Sequence, residues 1–473
     1  MGANAMRRDY DLGVIGLGPA GMAVAVMASE MGLRVLGVER RSLGGECMSV
    51  GCIPSKALLR MASVRHEAAN QDRWSLQGGA AGTSDDPFAQ IRERIRFIND
   101  RKTRAMFRKV DLKLQEGSAS FVDRNTIDVG GATYTAKRFF VCTGTSPAVP
   151  PIPGLDQVQY LTNETLFDLS EIPASLVVVG GGAIGCEMAQ AFRRLGADVS
   201  IVHMDAHLLP HGDEDAGRAL EAVFADEGIA VLNGRKIGSV AQDPSGVVVS
   251  TDQGEQLRGE KLLIAAGRRI DVSNLKLENA GVRYDPSGIT VDRTLRTSAR
   301  NIFAPGDVNG RYLFSHAAMH QGMIALINAM LPRRLGLDYR KYVVPWTVFT
   351  EPRVAHVGLL ERDLRQQGLD YEVIEERYED YGAAIAEEIA VGSVRAYVSK
   401  TGRIFGVRII GDGAGEMINE WGLAIQNRLR IHKIMFLQHS FPSMSFLTKR
   451  VSEGWMMNRM QSRLVRALCR IAF

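Results

Sequence analysis

The sequence predicts an α/β protein with two parallel-sheet βαβ units, followed by a C-terminal α+β region. In each unit an apolar strand runs into a glycine-rich turn and then into a helix pattern. The two turns are Gly16-Leu17-Gly18-Pro19-Ala20-Gly21 and Gly180-Gly181-Gly182-Ala183-Ile184-Gly185. Beyond about residue 343 the strands and helices continue without such a turn, which indicates a domain of a different kind.

The composition is that of an ordinary globular protein. The chain has 473 residues, 45% hydrophobic and 23% charged, so it can bury ample core without disulfide bonds. At roughly 150 residues a domain, this length predicts about three domains. A formal net charge of +4 is too small to indicate nucleic-acid binding. No apolar run predicts a membrane-spanning helix and the N-terminus lacks a signal-peptide core, so we expect a cytoplasmic protein.

The first βαβ unit has the pattern of a dinucleotide site. Strands are predicted at residues 11–15 and 34–38, with a helix at 22–31 between them. In a G-x-G-x-x-G turn, glycines let backbone N–H groups approach a pyrophosphate at the N-terminus of the helix. An acidic residue about 20 positions further on can accept hydrogen bonds from a ribose, and Glu39 stands there.

The second unit repeats this arrangement, with strands at 176–179 and 199–202 and a helix at 187–195. One such turn is weak evidence, because an incidental glycine-rich turn is common. Two of them in one chain, each between a strand and a helix, indicate two dinucleotides. A flavin and a nicotinamide that exchange a hydride are the pair that this predicts.

A pair of cysteines follows the first unit, in the segment Gly44-Gly45-Glu46-Cys47-Met48-Ser49-Val50-Gly51-Cys52-Ile53-Pro54-Ser55-Lys56. Four residues separate Cys47 from Cys52, so a disulfide could close the loop. Pro54 suits the first turn of a helix, whose N-terminus would favour a thiolate. Two buried structural cysteines are the alternative, which the neighbouring dinucleotide motif makes less favoured.

The remaining elements are predicted from local pattern. Residues 85–114 are charged and predicted to be helical. The C-terminal region has strands predicted at 353–357, 371–378, 394–398 and 404–410, and helices at 415–427 and 446–471. The last helix is basic and amphipathic, and packing within the protein is favoured over contact with a membrane surface.

With its two glycine-rich turns and its cysteine-containing segment, the chain resembles the class I pyridine nucleotide-disulfide oxidoreductases. This is the family of dihydrolipoamide dehydrogenase, glutathione reductase and mercuric reductase. The family's redox loop, G-G-x-C-x-x-x-G-C-x-P-S-K, fits residues 44–56. Its flavin motif A-T-G is present as Cys142-Thr143-Gly144, and its G-D motif as Gly306-Asp307. The resemblance implies a homodimeric flavoprotein with a redox-active disulfide that oxidises NAD(P)H, with a small molecule or metal ion as electron acceptor.

The resemblance also implies a fold class and a domain order. It predicts an α/β fold with two Rossmann-like dinucleotide-binding domains, for FAD and NAD(P), and a C-terminal α+β dimerisation domain. The expected order is an FAD-binding domain with the redox loop at 1–152, an NAD(P)-binding domain at 153–270, a return segment of the FAD-binding domain at 271–342, and an interface domain at 343–473. Four prolines in residues 147–154 are consistent with the first boundary.

Roles for individual residues follow by position in the family's motifs. Cys52 would be the thiol against the flavin and Cys47 the thiol that meets the acceptor. Lys56 and Glu187 would form an ion pair near the reactive edge of the flavin. The residues expected to bind the cofactors are Gly16, Gly18, Pro19, Ala20, Gly21, Glu39, Arg40, Gly45, Lys56, Ala119, Thr143, Gly144, Gly180, Gly182, Ala183, Ile184, Gly185, His203, Gly267, Asp307 and Ser315. No bound metal is expected.

The choice of nicotinamide depends on the end of the strand at 199–202. His203 stands where NAD-selective members place a carboxylate, so repulsion against a 2′-phosphate is absent. His203 or His207 could assist a phosphate when protonated, although no Arg follows nearby in the sequence. The pattern favours NADPH slightly over NADH. Ala183 replaces a Tyr that covers the nicotinamide pocket in many members, so the pocket should be more open.

The C-terminal stretch departs from the family pattern. Disulfide-reducing members carry H-P-x-x-x-E there, in which the His moves a proton at the interchange thiol and the Glu orients it. This chain has Phe441 and Phe446 at those positions, and His439 is a poor substitute. General acid–base help is typically worth about 10²–10⁴ in rate. Since mercuric reductases also lack this His, a metal ion or a quinone is favoured over dihydrolipoamide or glutathione disulfide.

Two alternatives stay open. One is a disulfide reductase or dithiol oxidase of the dihydrolipoamide dehydrogenase type. The other is a flavoprotein without acceptor turnover, which serves as a redox sensor or binding partner. Mercuric reductases have a C-terminal Cys pair, whereas this chain has only Cys469, which we expect to be structural like Cys142 and Cys186.

Overall fold

A computed structural model describes residues 8–76 and 86–472 and shows a mixed α/β architecture. The chain forms two compact units. Unit 1 comprises the residues up to 180 together with 191–199 and 237–341, and unit 2 comprises 181–190, 200–236 and 342–473. Within the described ranges, no helix combines the length and the apolar character needed to cross a membrane.

The strands and helices up to residue 180 are β1 (Tyr10–Ile15), α1 (Pro19–Glu30), β2 (Val35–Glu39), α2 (Gly45–Ser49), α3 (Cys52–Ala69), α4 (Pro87–Ile98), α5 (Arg104–Met106), β3 (Asp111–Leu114), β4 (Ala119–Asp123), β5 (Thr126–Val129), β6 (Ala132–Val141), β7 (Ser146–Pro147) and β8 (Ser175–Val179).

Those from 181 to 341 are α6 (Ala183–Arg194), β9 (Asp198–Val202), α7 (Glu214–Asp226), β10 (Ala230–Leu232), β11 (Ile237–Asp243), β12 (Gly246–Thr251), β13 (Gln256–Gly259), β14 (Lys261–Ile264), β15 (Arg268–Arg269), β16 (Tyr284–Asp285), β17 (Gly288–Ile289), β18 (Ile302–Phe303) and α8 (Ser315–Met330).

The remaining elements are β19 (Trp346–Val348), β20 (Val354–Gly358), α9 (Glu361–Gln366), β21 (Glu372–Arg377), α10 (Gly382–Ala386), β22 (Ser393–Val398), β23 (Ile404–Ile410), α11 (Ala414–Gln426), α12 (Ile431–Met435), α13 (Phe446–Met460) and α14 (Arg463–Ala472).

The main sheet of unit 1 has the strand order β3-β2-β1-β6-β5-β4, with β18 also paired to β6. Strand β1 is parallel to both β2 and β6, whereas β5 is antiparallel to β4 and β6. Helix α1 packs against α8. The apolar run of β1 is buried because neighbouring strands and helices cover it. Its carboxyl end, where ligands commonly bind in such sheets, carries the first glycine-rich turn.

The core of unit 2 lies in its C-terminal part, residues 342–473. Five strands form an antiparallel sheet in the order β19-β20-β23-β22-β21. Helices α11 and α13 pack against it around Trp421, which is fully buried. Strand β10 pairs in parallel with residues 200–202 of β9 in the same unit.

Two predicted helices are wrong in part. The segment predicted as a helix at 85–114 forms α4 and α5, with a π-helical turn at Asn99–Thr103 between them, and then β3, which is parallel to β2. Residue 85 lies outside the described residues. Leu112 and Leu114 alternate with charged residues, which is a strand period that the density of charge obscured.

The second correction concerns the predicted helix at 446–471. It is two helices, α13 and α14, because Ser462 begins a new one by accepting a hydrogen bond from the Val465 N–H at 3.4 Å. The other predicted elements agree with the structure to within a few residues. The antiparallel strands β11–β13 were not predicted.

Candidate functional site

The first glycine-rich turn connects β1 to α1 in unit 1. Gly16 has a φ of +87°, and a Cβ there would lie 2.6 Å from the carbonyl oxygen of Cys142. A Cβ at Gly21 would lie 1.9 Å from the Gly16 carbonyl oxygen, so strand and helix approach this closely only with glycine at both positions. A Cβ at Gly18 would have a single neighbour, Gly45 Cα at 3.9 Å, which leaves the backbone here open to a ligand.

Glu39 lies beside this turn, at the end of β2. Its carboxylate is buried, and it accepts hydrogen bonds from the N–H groups of Leu17 and Arg41, both at 2.8 Å. Pro19 opens α1, so the positive end of that helix also faces the turn. Arg40, the next residue after Glu39, is exposed. An acceptor carboxylate and a helix N-terminus are therefore next to one another, as the sequence predicted.

Further positions predicted to bind the cofactors leave space around the backbone. Gly144 and Gly267 have φ values of +67° and +117°, and a Cβ at either would meet nothing within 4 Å. Thr143 is exposed, whereas Ala119, the first residue of β4, is buried. At Ala119 only the backbone could contact a ligand.

Asp307 is held by the turn that leads towards α8. Gly306 before it has a φ of +89° and packs so tightly that an added Cβ would lie 3.2 Å from the Cβ of Ala20. Burial raises the pKa of the Asp307 carboxyl to about 6, although the charge of Arg268 acts in the opposite direction. A carboxyl group in such a desolvated place suits hydroxyl donors like those of a ribityl chain.

The two redox cysteines lie in consecutive helices. Cys47 is the middle residue of the five-residue helix α2, Cys52 begins α3, and both thiols are partly buried. The hydrogen bond between the two side chains, together with burial, raises the pKa of the Cys47 thiol well above its ordinary value, while a hydrogen bond with Ser315 and the charge of Lys56 act in the opposite direction. Cys52 Sγ lies 3.4 Å from Ser315 Oγ. The Ser315 hydroxyl therefore contacts both sulfurs of the pair.

A charged cluster beside the redox loop was not predicted. The guanidinium of Arg268 pairs with Glu46, the residue before Cys47. Burial raises the pKa of Glu46, which also shares a hydrogen bond with Glu164. Burial alone would raise the pKa of Glu164 too, but the hydrogen bond and charge of Arg41 bring it below the ordinary value. An acidic residue inside the redox loop was the only sign of this cluster in the sequence.

The second glycine-rich turn precedes α6. Gly180 has a φ of +122°, and a Cβ there would lie 2.3 Å from a backbone carbonyl oxygen, whereas a Cβ at Gly182 would meet nothing within 4 Å. Ala183 and Ile184, which begin α6, are exposed, and Gly185 is buried. As in the first turn, one glycine is packed too tightly for a side chain, and another leaves space beside the backbone.

Glu187 is buried on α6. Its Oε1 accepts a hydrogen bond from the Phe349 N–H at 3.0 Å. Gln190, nearly one turn further along, accepts a hydrogen bond from the Glu351 N–H at 2.8 Å and donates one to the Glu351 carbonyl oxygen at 2.7 Å. This face of α6 is thus fixed by backbone contacts within unit 2. The predicted ion pair between Glu187 and Lys56 stays a prediction.

His203 follows β9 and is buried under the second turn, where a Cβ at Gly181 would lie 2.8 Å from its ring. Its Nε2 lies 2.6 Å from Asn233 Oδ1, and Asn233 in turn donates to Glu221 at 3.0 Å. The Arg235 N–H donates to the His203 carbonyl oxygen at 2.9 Å. Sequence reasoning missed Arg235, because only the parallel pairing of β9 with β10 brings the two positions together.

The C-terminal stretch presents aromatic rings. Phe441 is 72% exposed, and its ring meets that of Phe446 edge-on at 5.3 Å between centroids. Phe446 in turn stacks on Tyr381. The His439 side chain is only 4% exposed, and its Nε2 lies 3.1 and 3.2 Å from the carboxylate oxygens of Glu420. His439 is therefore a buried, paired residue rather than a surface one.

The three other cysteines differ in burial. Cys142 and Cys186 are buried, which raises the pKa of both thiols, and this agrees with the packing role expected for them. Cys469 is exposed on α14, and the structural role expected for it stays a prediction.

The residues of unit 1 fit an FAD molecule. The open backbone at Gly18 and Gly144 leaves room that a side chain would otherwise fill. Glu39 and Asp307 provide acceptor oxygens for hydroxyl groups, and the N-terminus of α1 provides N–H donors for a pyrophosphate.

Comparisons with known proteins show the family to which the chain belongs. Residues 10–322 match the sequence profile of the pyridine nucleotide-disulphide oxidoreductases, and residues 344–450 match that of their dimerisation domain. The chain is 32% identical to a mercuric reductase of Staphylococcus aureus over 435 residues, 90% of this chain and 79% of that protein. It is also 32% identical to a dihydrolipoyl dehydrogenase of Bacillus subtilis over 427 residues, 88% of this chain and 92% of that protein.

Solved structures give the same result. The HOCl-induced flavoprotein disulfide reductase RclA from Escherichia coli superposes with a TM-score of 0.84 at 26% identity, over 95% of this chain and 100% of that one. LpdA from Mycobacterium tuberculosis also has a TM-score of 0.84 at 26% identity, over 96% of this chain and 100% of that one. The predicted fold class is confirmed. The chain belongs to the pyridine nucleotide-disulphide oxidoreductases, a family of flavin-dependent enzymes that use FAD and NAD(P)H.

Proposed function

We propose that this protein is a homodimeric NAD(P)H-dependent reductase that passes two electrons through the Cys47–Cys52 pair to a soft metal ion or a quinone. The observation that carries the proposal is the pair of aromatic rings, Phe441 and Phe446, where disulfide-reducing members have a His and a Glu. The His439 side chain is only 4% exposed, so in this proposal it does not reach an acceptor to replace the missing base, although it is paired with Glu420. Disulfide exchange needs a group that protonates the departing sulfur, whereas reduction of a metal ion does not.

The binding roles follow from the geometry of the two turns. FAD, when bound, accepts a hydride from NAD(P)H and supplies the electron pair that opens the disulfide. Gly16, Gly18 and Gly21 would hold its pyrophosphate, Glu39 a ribose and Asp307 the ribityl chain. The residues proposed to complete the two cofactor sites are Pro19, Ala20, Arg40, Gly45, Lys56, Ala119, Thr143, Gly144, Gly180, Gly182, Ala183, Ile184, Gly185, His203, Gly267 and Ser315.

The proposed reaction has two halves, reduction of the disulfide and reduction of the acceptor. NAD(P)H provides two electrons and one proton, which break the S–S bond and leave Cys47 as a thiol and Cys52 as a thiolate. Transfer of the electron pair re-forms the S–S bond and releases the proton. NAD(P)H and one Hg²⁺ then give NAD(P)⁺, H⁺ and the metal, whereas NAD(P)H and two Cu²⁺ give NAD(P)⁺, H⁺ and two Cu⁺. With a quinone, NAD(P)H, H⁺ and the quinone give NAD(P)⁺ and the quinol, which takes one proton from Cys47 and one from the solvent.

The comparisons support a metal ion as acceptor. One relative at 32% identity is a mercuric reductase, and a Cu(II) complex of RclA from Escherichia coli has a TM-score of 0.85 at 26% identity. These names describe those proteins. The present chain lacks the C-terminal Cys pair of mercuric reductases, having only Cys469, so we expect weaker capture of the ion before it reaches Cys47.

NADPH is our preferred nicotinamide. His203 occupies the position at the end of β9 where NAD-selective members place a carboxylate, and it is held by Asn233, although the Asp205 carboxylate lies 3.8 Å from its Nδ1. Arg235 lies directly beside it through a backbone hydrogen bond. Arg235 offers a cation for a 2′-phosphate, but the exposed Asp205 lies close by, so the preference for NADPH is slight.

The domain arrangement is part of the same proposal. We assign residues 1–152 and 271–342 to an FAD-binding domain, 153–270 to an NAD(P)-binding domain, and 343–473 to the homodimer interface. The match of residues 344–450 to the dimerisation domain supports the last assignment.

The test is steady-state oxidation of NADPH and of NADH by the FAD-loaded protein with a panel of acceptors: Hg²⁺, Cu²⁺, a quinone, oxidised lipoamide and glutathione disulfide. We expect kcat/KM for a metal ion or the quinone to exceed that for either disulfide by at least about tenfold, because the proton donor is missing. Cys52→Ser should abolish this turnover, whereas Cys469→Ser should retain it.

Two results would overturn the proposal. Fastest turnover with a disulfide would identify a dihydrolipoamide dehydrogenase-type enzyme. Negligible turnover with every acceptor would identify a sensor or binding protein. A higher kcat/KM with NADH than with NADPH would overturn the nicotinamide preference alone.

A further inference from the structure

The hydroxyl group of Ser315 lies against the redox thiol. Ser315 is the first residue of the 16-residue helix α8, and its Oγ is 3.4 Å from Cys52 Sγ. While both groups are protonated, either atom can be the donor. Once Cys52 is a thiolate, only the hydroxyl carries a proton, so Ser315 must donate and the sulfur must accept.

Neighbouring contacts within unit 1 hold α8 in position. Gln321, which is 2% exposed, accepts hydrogen bonds from the Gly306 N–H at 2.9 Å and from Asn309 Nδ2 at 2.7 Å. Gly322 packs against α1, where an added Cβ would lie 2.4 Å from the Ala20 carbonyl oxygen. The hydroxyl is therefore positioned by a packed helix and not by a mobile loop, which lowers the cost of forming the bond.

Other features of the pair also place negative charge on Cys52. Cys52 is the first residue of the 18-residue helix α3, and α8 also begins beside its sulfur, so the positive ends of two helices lie near one atom. Burial and a hydrogen bond to Cys52 raise the pKa of the Cys47 thiol, and they outweigh the opposing effects of a hydrogen bond with Ser315 and the charge of Lys56.

We propose that Ser315 is a positioning residue for the redox step, which donates a hydrogen bond to the Cys52 thiolate of the reduced protein and holds the charge on that sulfur. The proposal rests on the proposed function, in which Cys52 is the thiol against the flavin. It adds a residue of this chain that stabilises the charged sulfur directly, from within the same unit as the redox loop.

The test is a pH titration of the long-wavelength charge-transfer absorbance of the two-electron-reduced, FAD-loaded protein, measured per bound flavin. In Ser315→Ala we expect the midpoint for Cys52 ionisation to rise by about one pH unit, the size of a lost hydrogen bond to a charged group. Ser315→Thr should restore the midpoint of the native protein. Ser55→Ala is the matched control, because its hydroxyl contacts the Cys52 carbonyl oxygen at 3.2 Å and not the sulfur.

The outcomes separate this proposal from the proposed function. A midpoint unchanged in Ser315→Ala, or raised equally in Ser315→Ala and Ser315→Thr, overturns the role of the hydroxyl. If the Ala variant does not retain FAD, Ser315→Thr and Ser315→Val are compared instead, because their side chains have nearly equal volume and differ by the hydroxyl. Equal midpoints for Cys52 ionisation in these two variants would overturn the role of the hydroxyl. Absence of the absorbance in the native protein at every pH would overturn the proposed function and, with it, this proposal.

Discussion

The redox loop and the C-terminal stretch differ in how they relate to the family pattern. Residues 44–56 fit the family's loop, and the structure places two hydrogen-bonded thiols there, one within α2 and one at the start of α3. At Phe441 and Phe446 the second region has aromatic rings where relatives carry proton-transferring groups, and its only His is buried against Glu420. In the proposed function, the sulfur pair that carries electrons is therefore kept while the proton-transferring groups of disulfide-reducing relatives are replaced, so the two features belong to separate regions of the chain.

The largest expected effect comes from restoring the family's groups in the C-terminal stretch. The double variant Phe441→His with Phe446→Glu should raise kcat/KM with oxidised lipoamide by up to about 10²-fold, towards the lower end of general acid–base contributions. Steady-state NADPH oxidation measures it, with Phe441→Leu as a control that opens space without adding a base. A properly folded double variant with no gain would mean that more than the missing dyad separates this protein from disulfide reductases.

An intermediate effect is expected on the flavin side, at Asp307. Its pKa is raised to about 6 by burial, compared with about 3.9 in an unfolded chain. The protonated carboxyl is thus favoured in the folded apoprotein, and this stability is present below about pH 4 and lost as the pH rises through 6. Asp307→Asn should therefore stabilise the apoprotein by up to roughly 3 kcal/mol at pH 8, and by little at pH 4.

Denaturant unfolding of apoprotein at the two pH values measures this difference. Asp226→Asn, at an exposed carboxylate on α7, is the control, because it should change the free energy of unfolding little at either pH. The same Asp307→Asn variant should bind FAD more weakly. Equal stabilisation at pH 4 and pH 8 would show that ionisation of Asp307 is not the cause.

The smallest effect is expected for His439. His439→Gln breaks a buried contact with Glu420 and should lower the free energy of unfolding by about 1–2 kcal/mol. Acceptor turnover should stay within about twofold, because the residue has no part in the proposed chemistry. A fall in turnover of more than tenfold at unchanged stability would show that His439 does act as the base.

Local sequence was informative where a function depends on contiguous residues. The two glycine-rich turns and the redox loop each lie within a few consecutive positions, so their spacing indicates the backbone shape that the chemistry requires. The same approach failed for β3 and for the break between α13 and α14. For β3 the short signal was the alternation of Leu112 and Leu114 with charged residues, and for the helix break it was the capping Ser462. Both signals were hidden by charge patterns that extend over many residues.

From the sequence alone, the family, the fold class and the cysteine pair followed, because motifs that bind a dinucleotide or close a small redox loop are continuous in the chain. Only the tertiary structure decided which groups surround those motifs. Ser315 reaches Cys52 across 263 positions of sequence, and Arg268 reaches Glu46 across 222. Such contacts depend on how packed helices and paired strands bring distant segments together, and side-chain chemistry in the sequence carries no record of that distance.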